Sequence, residues 1–130
     1  MNLEFEHLAL PSKNPAAMID WYSRVLGANV VFNNGQNPPT ALLRLGGVLV
    51  EFYAADAALA ETANNKLCGW RHVALRVPSI AEAKSVLESR GLRFTESPRP
   101  AAGGGQVLFF SDPEGNLLHL VERPTDSPIK

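Results

Sequence analysis

Length, composition and charge place this chain among ordinary globular domains. Its 130 residues, 45% of them hydrophobic, are enough for one domain with a substantial core. A formal net charge of −1 argues against a nucleic-acid or anionic-membrane partner. We find no apolar stretch that could cross a bilayer and no signal-peptide pattern. The lone Cys68 fits a reducing compartment, so we expect a cytoplasmic protein.

The first half of the chain has the pattern of one strand, one helix and three further strands. Residues 3–10 have a strand pattern. Asn14 followed by Pro15 is typical of a helix start, and Gly27 ends a helix whose apolar residues recur at spacings of three and four. Further strand patterns lie near 28–33, 40–45 and 47–53.

The second half repeats this order after a linker at residues 54–69. Ser79 begins a capping box that opens the second helix, and Gly91 ends it. Strand patterns lie near 70–77, 92–95, 106–111 and 116–122. We expect a tight turn before the last of these strands, and a disordered tail from Pro124 onward.

Two short repeats support this division into halves. His7–Leu10 (HLAL) returns as His72–Leu75 (HVAL), and Gly47–Glu51 (GVLVE) is matched in pattern by Gly115–His119 (GNLLH). Internal repetition constrains the architecture before any other feature. The sequence therefore predicts the α+β class, with one domain built from two β-α-β-β-β modules. The domain covers residues 1–130, with modules at about 3–54 and 70–123.

Four residues with metal-ligating side chains occupy matching places in the two modules. They are His7, Glu51, His72 and His119. Because alternate strand residues face opposite sides, each should project away from the apolar side that packs on a helix. Imidazole and carboxylate without thiolate suit an open site for a divalent cation better than a closed structural zinc site. If all four were ordinary strand residues, their equivalent placement in both halves would have no explanation.

Other conspicuous residues favour structural roles. Glu122 has the opposite parity to His119, which predicts a surface residue at a strand end. Phe109 and Phe110 are typical of a core, with one ring facing the cavity beside the ligands. We expect Cys68 to be inert rather than catalytic.

At these residues the chain resembles the vicinal oxygen chelate superfamily, which includes glyoxalase I, fosfomycin- and bleomycin-resistance proteins and extradiol dioxygenases. The resemblance covers about residues 3–123. Besides the histidine repeats, it rests on Trp21–Gly27, Val50–Phe52, Arg71–Leu75 and Phe110–Asn116. It implies that the two modules form a cupped mixed β-sheet with helices on the outer face. It also implies a homodimer as the default assembly, with the site built within one chain or across two.

The resemblance to glyoxalase I implies that the same four residues are the metal ligands. Position 119 is usually Glu in that family and is His here, which leaves Glu51 as the carboxylate that moves the substrate proton. The glutathione-holding side chains of glyoxalase I fall at Pro11 and Ala55, and neither can bind a carboxylate through its side chain. We therefore expect a metal-dependent lyase or isomerase that does not use glutathione. Its cofactor would be a divalent ion (Zn, Ni, Fe, Mn or Co), and its partner a small oxygenated substrate that chelates this ion.

Two alternatives stay open at this point. An extradiol-type dioxygenase would hold Fe(II) through two histidines and a carboxylate, a pattern that His119 breaks unless Glu51 substitutes. A metal-free protein that binds a drug or metabolite, as resistance proteins do, would need no ligand set at all.

Overall fold

Each half of the chain forms a β-α-β-β-β unit, which confirms the predicted α+β class. The computed structural model describes residues 1–130. The chain divides into two compact units, unit 1 (Met1–Ala60) and unit 2 (Glu61–Lys130). The boundary lies inside the predicted linker. The elements are β1 (His7–Ser12), α1 (Pro15–Arg24), β2 (Asn29–Asn33), β3 (Ala41–Leu45), β4 (Val48–Ala54), β5 (His72–Arg76), α2 (Ile80–Ser89), β6 (Arg99–Pro100), β7 (Gln106–Ser111) and β8 (Leu117–Glu122). Neither helix has the length and apolar character of a membrane span.

Unit 1 is a four-stranded sheet in the order β1-β4-β3-β2, with α1 packed on one face. Strands β1 and β4 are parallel, and the other pairs are antiparallel. The helix begins where predicted, since the Asn14 side chain accepts a hydrogen bond of 3.1 Å from the backbone N–H of Ala17. Its buried face includes Met18 and Tyr22, and the Tyr22 ring meets the Phe52 ring edge-on at 5.0 Å. One face of the sheet is thus committed to the core.

Unit 2 has the same topology, with strand order β5-β8-β7-β6 and α2 on one face. Ser79 caps α2 by accepting a hydrogen bond of 3.2 Å from the backbone N–H of Glu82. Ile80 donates its backbone N–H to Glu122 Oε2 at 2.6 Å. Glu122 lies at a strand end as predicted, but it is partly buried rather than a surface residue. Its parity places it on the helix side of the sheet, where its carboxylate satisfies a free N–H of the first turn of α2.

Two strands differ from the prediction. The first begins at His7 rather than at residue 3. No strand forms at residues 92–95, and the short sixth strand lies instead at Arg99–Pro100. The apolar residues after α2 serve packing rather than pairing. Leu92 is buried and donates its N–H to Leu87 O at 3.1 Å, and the Phe94 ring packs against Phe110 at 5.7 Å.

The residues after Pro124 are packed on unit 2, so the expectation of a disordered tail was wrong. Ser127 is only 3% exposed, and its hydroxyl donates to Gly103 O at 3.0 Å. Arg76 donates to the carbonyl oxygen of Ile129 at 3.2 Å. A composition rich in proline and polar residues suggested disorder, but specific contacts with a glycine loop hold this segment in place.

The turn between β7 and β8 forms as predicted around a buried carboxylate. Asp112 Oδ1 accepts hydrogen bonds from the backbone N–H groups of Glu114 and Asn116, at 2.9 and 3.0 Å. Its Oδ2 accepts a third, from Asn116 Nδ2 at 2.8 Å. This turn sets the start of β8 and therefore the register of His119.

Candidate functional site

In unit 1, His7 and Glu51 share the sheet face opposite α1. Strand β1 pairs with β4 so that Ala9 lies beside Glu51 and His7 beside Leu49. His7 Nε2 lies 3.9 Å from Glu51 Oε1, with the two side chains 37% and 30% exposed. The small Ala9 leaves room between them. The first pair of predicted ligands is therefore brought together.

The other ring nitrogen of His7 is held by its neighbour in sequence. Nδ1 lies 2.8 Å from Glu6 Oε1. A carboxylate accepts hydrogen bonds, so we assign the proton to Nδ1, which leaves the lone pair of Nε2 directed toward Glu51. Hydrogen bonding of the outer nitrogen to an oxygen is the usual arrangement for a metal-ligating histidine.

In unit 2, His72 and His119 form the second pair, in the same register. Strand β5 pairs with β8 so that Ala74 lies beside His119 and His72 beside Leu117. The two imidazole rings meet edge-on with centroids 4.6 Å apart. His72 Nδ1 lies 2.8 Å from Asn65 Oδ1, which again leaves Nε2 without a hydrogen-bond partner in the protein. The sequence repeat thus reflects a structural repeat, residue for residue.

His119 is the buried member of the set. It is 7% exposed, and its Nδ1 is buried with no hydrogen-bond partner. Burial lowers the pKa of His119 from 6.5 to about 4, with further lowering by the positive charge of His72, Arg123 and Arg99. The ring is therefore neutral near pH 7, with a lone pair free for a cation without competition from protons.

Phe109 forms the apolar floor of this histidine face of unit 2. Its ring centroid lies 5.4 Å from that of His72 and 4.8 Å from that of His119. Val107 and Val121 pack with it in one buried cluster. As predicted, one ring of the phenylalanine pair lies on the ligand side, while Phe110 faces the other way. The histidines thus stand beside an apolar patch that lowers the local dielectric constant.

Two polar residues of this face escaped the sequence analysis. Asn65 lies in the linker, and only the fold brings it to His72. Arg99 lies on β6, and its guanidinium carbon is 4.6 Å from the Phe109 ring centroid. Because the sixth strand was predicted at residues 92–95, strand parity could not place Arg99 on the histidine side.

The donor chemistry of both pairs fits a divalent cation. Zn²⁺, Mn²⁺, Fe²⁺, Co²⁺ and Ni²⁺ all accept imidazole nitrogen and carboxylate oxygen as ligands. The two pairs offer two imidazoles whose outer nitrogen is hydrogen-bonded, one carboxylate, and one imidazole with an unpartnered buried nitrogen. Neither unit alone groups three His, Cys, Asp or Glu side chains to hold an ion. Convergence of the two pairs on one ion stays a prediction.

Comparison with known proteins identifies the class that this fold and register define. Residues 4–120 match the family model described as the Glyoxalase/Bleomycin resistance protein/Dioxygenase superfamily. The chain belongs to this superfamily, which confirms the resemblance drawn from the sequence motifs.

Individual relatives are more distant. A putative lactoylglutathione lyase from Brassica oleracea is 32% identical over 63 residues, which are 47% of this chain but only 22% of that protein. The match therefore spans less than a quarter of the length of this curated relative. A glyoxalase family protein from Enterococcus faecalis has a TM-score of 0.77 at 29% identity, covering 92% of this chain and 97% of that one.

A third similarity concerns the fold alone. The fosfomycin resistance protein FosX from Listeria monocytogenes, in complex with Mn(II) and 1S,2S-dihydroxypropylphosphonic acid, has a TM-score of 0.72 at 15% identity. The alignment covers 97% of each chain.

Proposed function

We propose that this protein is a metal-dependent enzyme of the glyoxalase type, with lyase or isomerase chemistry. Its substrate is a small molecule that chelates a divalent cation through two adjacent oxygens. The ligands are His7, Glu51, His72 and His119. We further propose that the enzyme acts as a homodimer, in line with the assembly that the family implies.

The observation that carries this proposal is the matched register of the two ligand pairs. In each unit the first histidine lies on the sheet face opposite the helix, with Nδ1 bonded to an oxygen at 2.8 Å. In each, the second ligand emerges beside a small alanine of the first strand. The equivalent positions on the two sheet faces are all occupied by His or Glu. Packing of the sheets does not require these residue types there.

Glu51 is the residue we assign to proton transfer. A bound cation would act as a Lewis acid, stabilising negative charge that develops on the substrate oxygens. The Glu51 side chain is 30% exposed and therefore accessible to a substrate proton, and its carboxylate lies 3.9 Å from His7 Nε2, beside the other proposed ligand of unit 1. His119 is held neutral by burial and cannot replace Glu51 as an anionic base. A single base distinguishes this chain from a site with two carboxylates.

Glutathione is a poor fit for the substrate. Pro11 shares the ligand face of β1 with His7 but offers no side-chain donor. Ala55 uses its backbone N–H to bond Ser12 O at 3.0 Å. The curated lyases match this chain over 63 residues only, so their substrate does not transfer with the similarity. We expect activity on a small oxygenated compound that lacks the peptide.

Metal analysis of protein without a histidine tag tests the proposal directly. The stripped protein should take up one ion per site in calorimetric titrations with Zn²⁺, Mn²⁺, Ni²⁺, Co²⁺ and Fe²⁺. Glu51→Gln should weaken binding and abolish turnover. Glu6→Gln keeps a hydrogen-bond acceptor for His7 but removes a charge. It should weaken metal binding and reduce turnover much less than Glu51→Gln does. Binding unaffected by Glu51→Gln and His72→Ala together would exclude this site.

A second function has one observation in its favour. Ala101 and Leu117 are partly buried and pack against the buried cluster of Val107, Phe109 and Val121, so they give unit 2 an apolar surface on which an aromatic or aliphatic ligand could pack. This surface suits a metal-free binding protein. Undiminished binding of such a ligand after chelator treatment, with no metal uptake, would support that alternative. Fe(II)-dependent cleavage of catechols would instead support the dioxygenase.

A further inference from the structure

Arg99 is placed by strand register on the same face as the two histidines of unit 2. It pairs with Val107 across β6 and β7, and Phe109 lies two residues beyond Val107 on the same face. Phe109 in turn pairs with His119 across β7 and β8. The guanidinium carbon lies 4.6 Å from the Phe109 ring centroid, a cation–π arrangement that fixes its position beside the histidines.

The guanidinium of Arg99 is available to a ligand. Its side chain is 56% exposed, and its ion-pair partner is Glu96, with Arg99 Nη2 and Glu96 Oε1 3.9 Å apart. That distance is too long for a hydrogen bond, and exposed pairs of this kind contribute little. The contact with the Phe109 ring uses none of the guanidinium N–H groups as hydrogen-bond donors to oxygen, so these groups can donate to a ligand.

Arg123 provides the contrast within the same unit. Its Nη1 donates to the carbonyl oxygens of Ala102 and Gly104, the second at 2.8 Å. Those bonds hold the glycine loop before β7, so this guanidinium is committed to structure. Both arginines nevertheless contribute positive charge at His119. The histidine face therefore favours an anion and offers it one free guanidinium.

We propose that Arg99 binds a carboxylate of the substrate, so that the substrate class is a small hydroxy or oxo carboxylic acid. The inference rests on the proposed function and narrows it. One planar fork matches one carboxylate through two parallel N–H···O bonds. The charges of the proposed ligands agree, because Glu51 is the one anionic group among the four and would leave a bound divalent cation incompletely neutralised. An anionic chelator compensates that charge where a neutral one does not.

The test compares an anionic ligand with its neutral amide, which has nearly the same size and shape. Lactate and lactamide share a skeleton and two adjacent oxygens, but only lactate is an anion. Their affinities for the zinc-loaded protein are measured by calorimetry in the wild type, Arg99→Gln, Arg99→Lys and Arg93→Gln. Arg93 is the matched control, an exposed arginine of the same unit. Zinc affinity and the far-ultraviolet circular dichroism spectrum are recorded for each variant.

We expect Arg99→Gln to weaken lactate binding about tenfold, since a charge-assisted contact at a partly exposed position lies near the lower end of 1.5–3 kcal/mol. Lactamide affinity and zinc affinity should not fall, which separates loss of anion binding from damage to the fold. Arg99→Lys should retain part of the affinity, and Arg93→Gln all of it.

Three outcomes would overturn the inference. They are equal wild-type affinities for lactate and lactamide, equal losses for both ligands in Arg99→Gln, and loss of lactate affinity in Arg93→Gln. Failure of the wild type to take up zinc would instead contradict the proposed function, and it is seen before any ligand is added.

Discussion

Protonation of His119 should make the metal-free protein sensitive to acid. Burial is the main reason that its pKa falls from 6.5 to about 4, and the positive groups around it lower it further. In the unfolded chain the ring takes up a proton near pH 6.5, whereas in the folded chain it resists until about pH 4. Between these values the unfolded state binds more protons, so stability falls as pH falls. Above about pH 6.5 the effect vanishes, and below about pH 4 it is complete.

The size of this effect follows from the displacement of the pKa. One pKa unit corresponds to 1.36 kcal/mol, so the fall from 6.5 to about 4 amounts to roughly 3 kcal/mol. Little of this is lost to solvent screening, because His119 is only 7% exposed. A loss of that size is a large fraction of the 5–15 kcal/mol that typically stabilises a domain.

The measurement combines nuclear magnetic resonance with urea denaturation of chelator-treated protein. With three histidines in the chain, each ring Cε1 resonance can be assigned by substitution. His119→Phe, which keeps an aromatic ring but cannot be protonated, should remove most of the stability loss between pH 7.5 and pH 4.5. His7→Asn is the control at an exposed position and should leave that loss unchanged. A His119 midpoint near 6.5, or an undiminished loss in His119→Phe, would refute the reasoning.

Three further predictions concern the surroundings of the site. His72→Ala should abolish tight metal binding and leave the circular dichroism spectrum intact, because this exposed ring lies beside Ala74 and not in the core; an unfolded variant would show that His72 is structural. Asn65→Ala should weaken zinc binding about 10–100-fold and shift the His72 tautomer seen by nitrogen resonance, as loss of a supporting hydrogen bond does; equal weakening by Asn64→Ala would contradict a specific role. Asp112→Ala should lower the free energy of unfolding by roughly 2–3 kcal/mol, since it frees three donors from a buried carboxylate; a urea midpoint unchanged from wild type would contradict this.

The sheet faces of the four candidate residues could be predicted because strands impose a period of two and because the repeat fixed equivalent positions. Parity alone placed each of the four residues on the face away from the helix. The pairing of β1 with β4 and of β5 with β8, which brings His7 to Glu51 and His72 to His119, was seen only in the structure. The helix starts were equally local, since Asn14 and Ser79 act within three residues of themselves.

Residues whose role depends on contacts distant in sequence could not be placed in this way. Asn65 reaches His72 from a linker without regular structure, and Glu122 reaches the start of α2 across 42 positions. Arg99 was hidden by the misplaced sixth strand, which has only two residues and no alternating pattern to reveal it. Local rules placed the four candidate residues on their sheet faces, whereas the groups that contact them emerge only from the fold.

The shared register of the two units makes position 119 a place where the type of metal-ligating side chain can change from His to Glu. Since His119 and Glu51 occupy equivalent places, a change of His119 to Glu would make the second pair resemble the first without altering any strand pairing. Arg99 and Arg123 already supply the positive charge that a buried carboxylate there would need. A single substitution thus separates a site with one carboxylate from a site with two. In the proposed site, the number of carboxylates, and with it the preference among cations, depends on this one position.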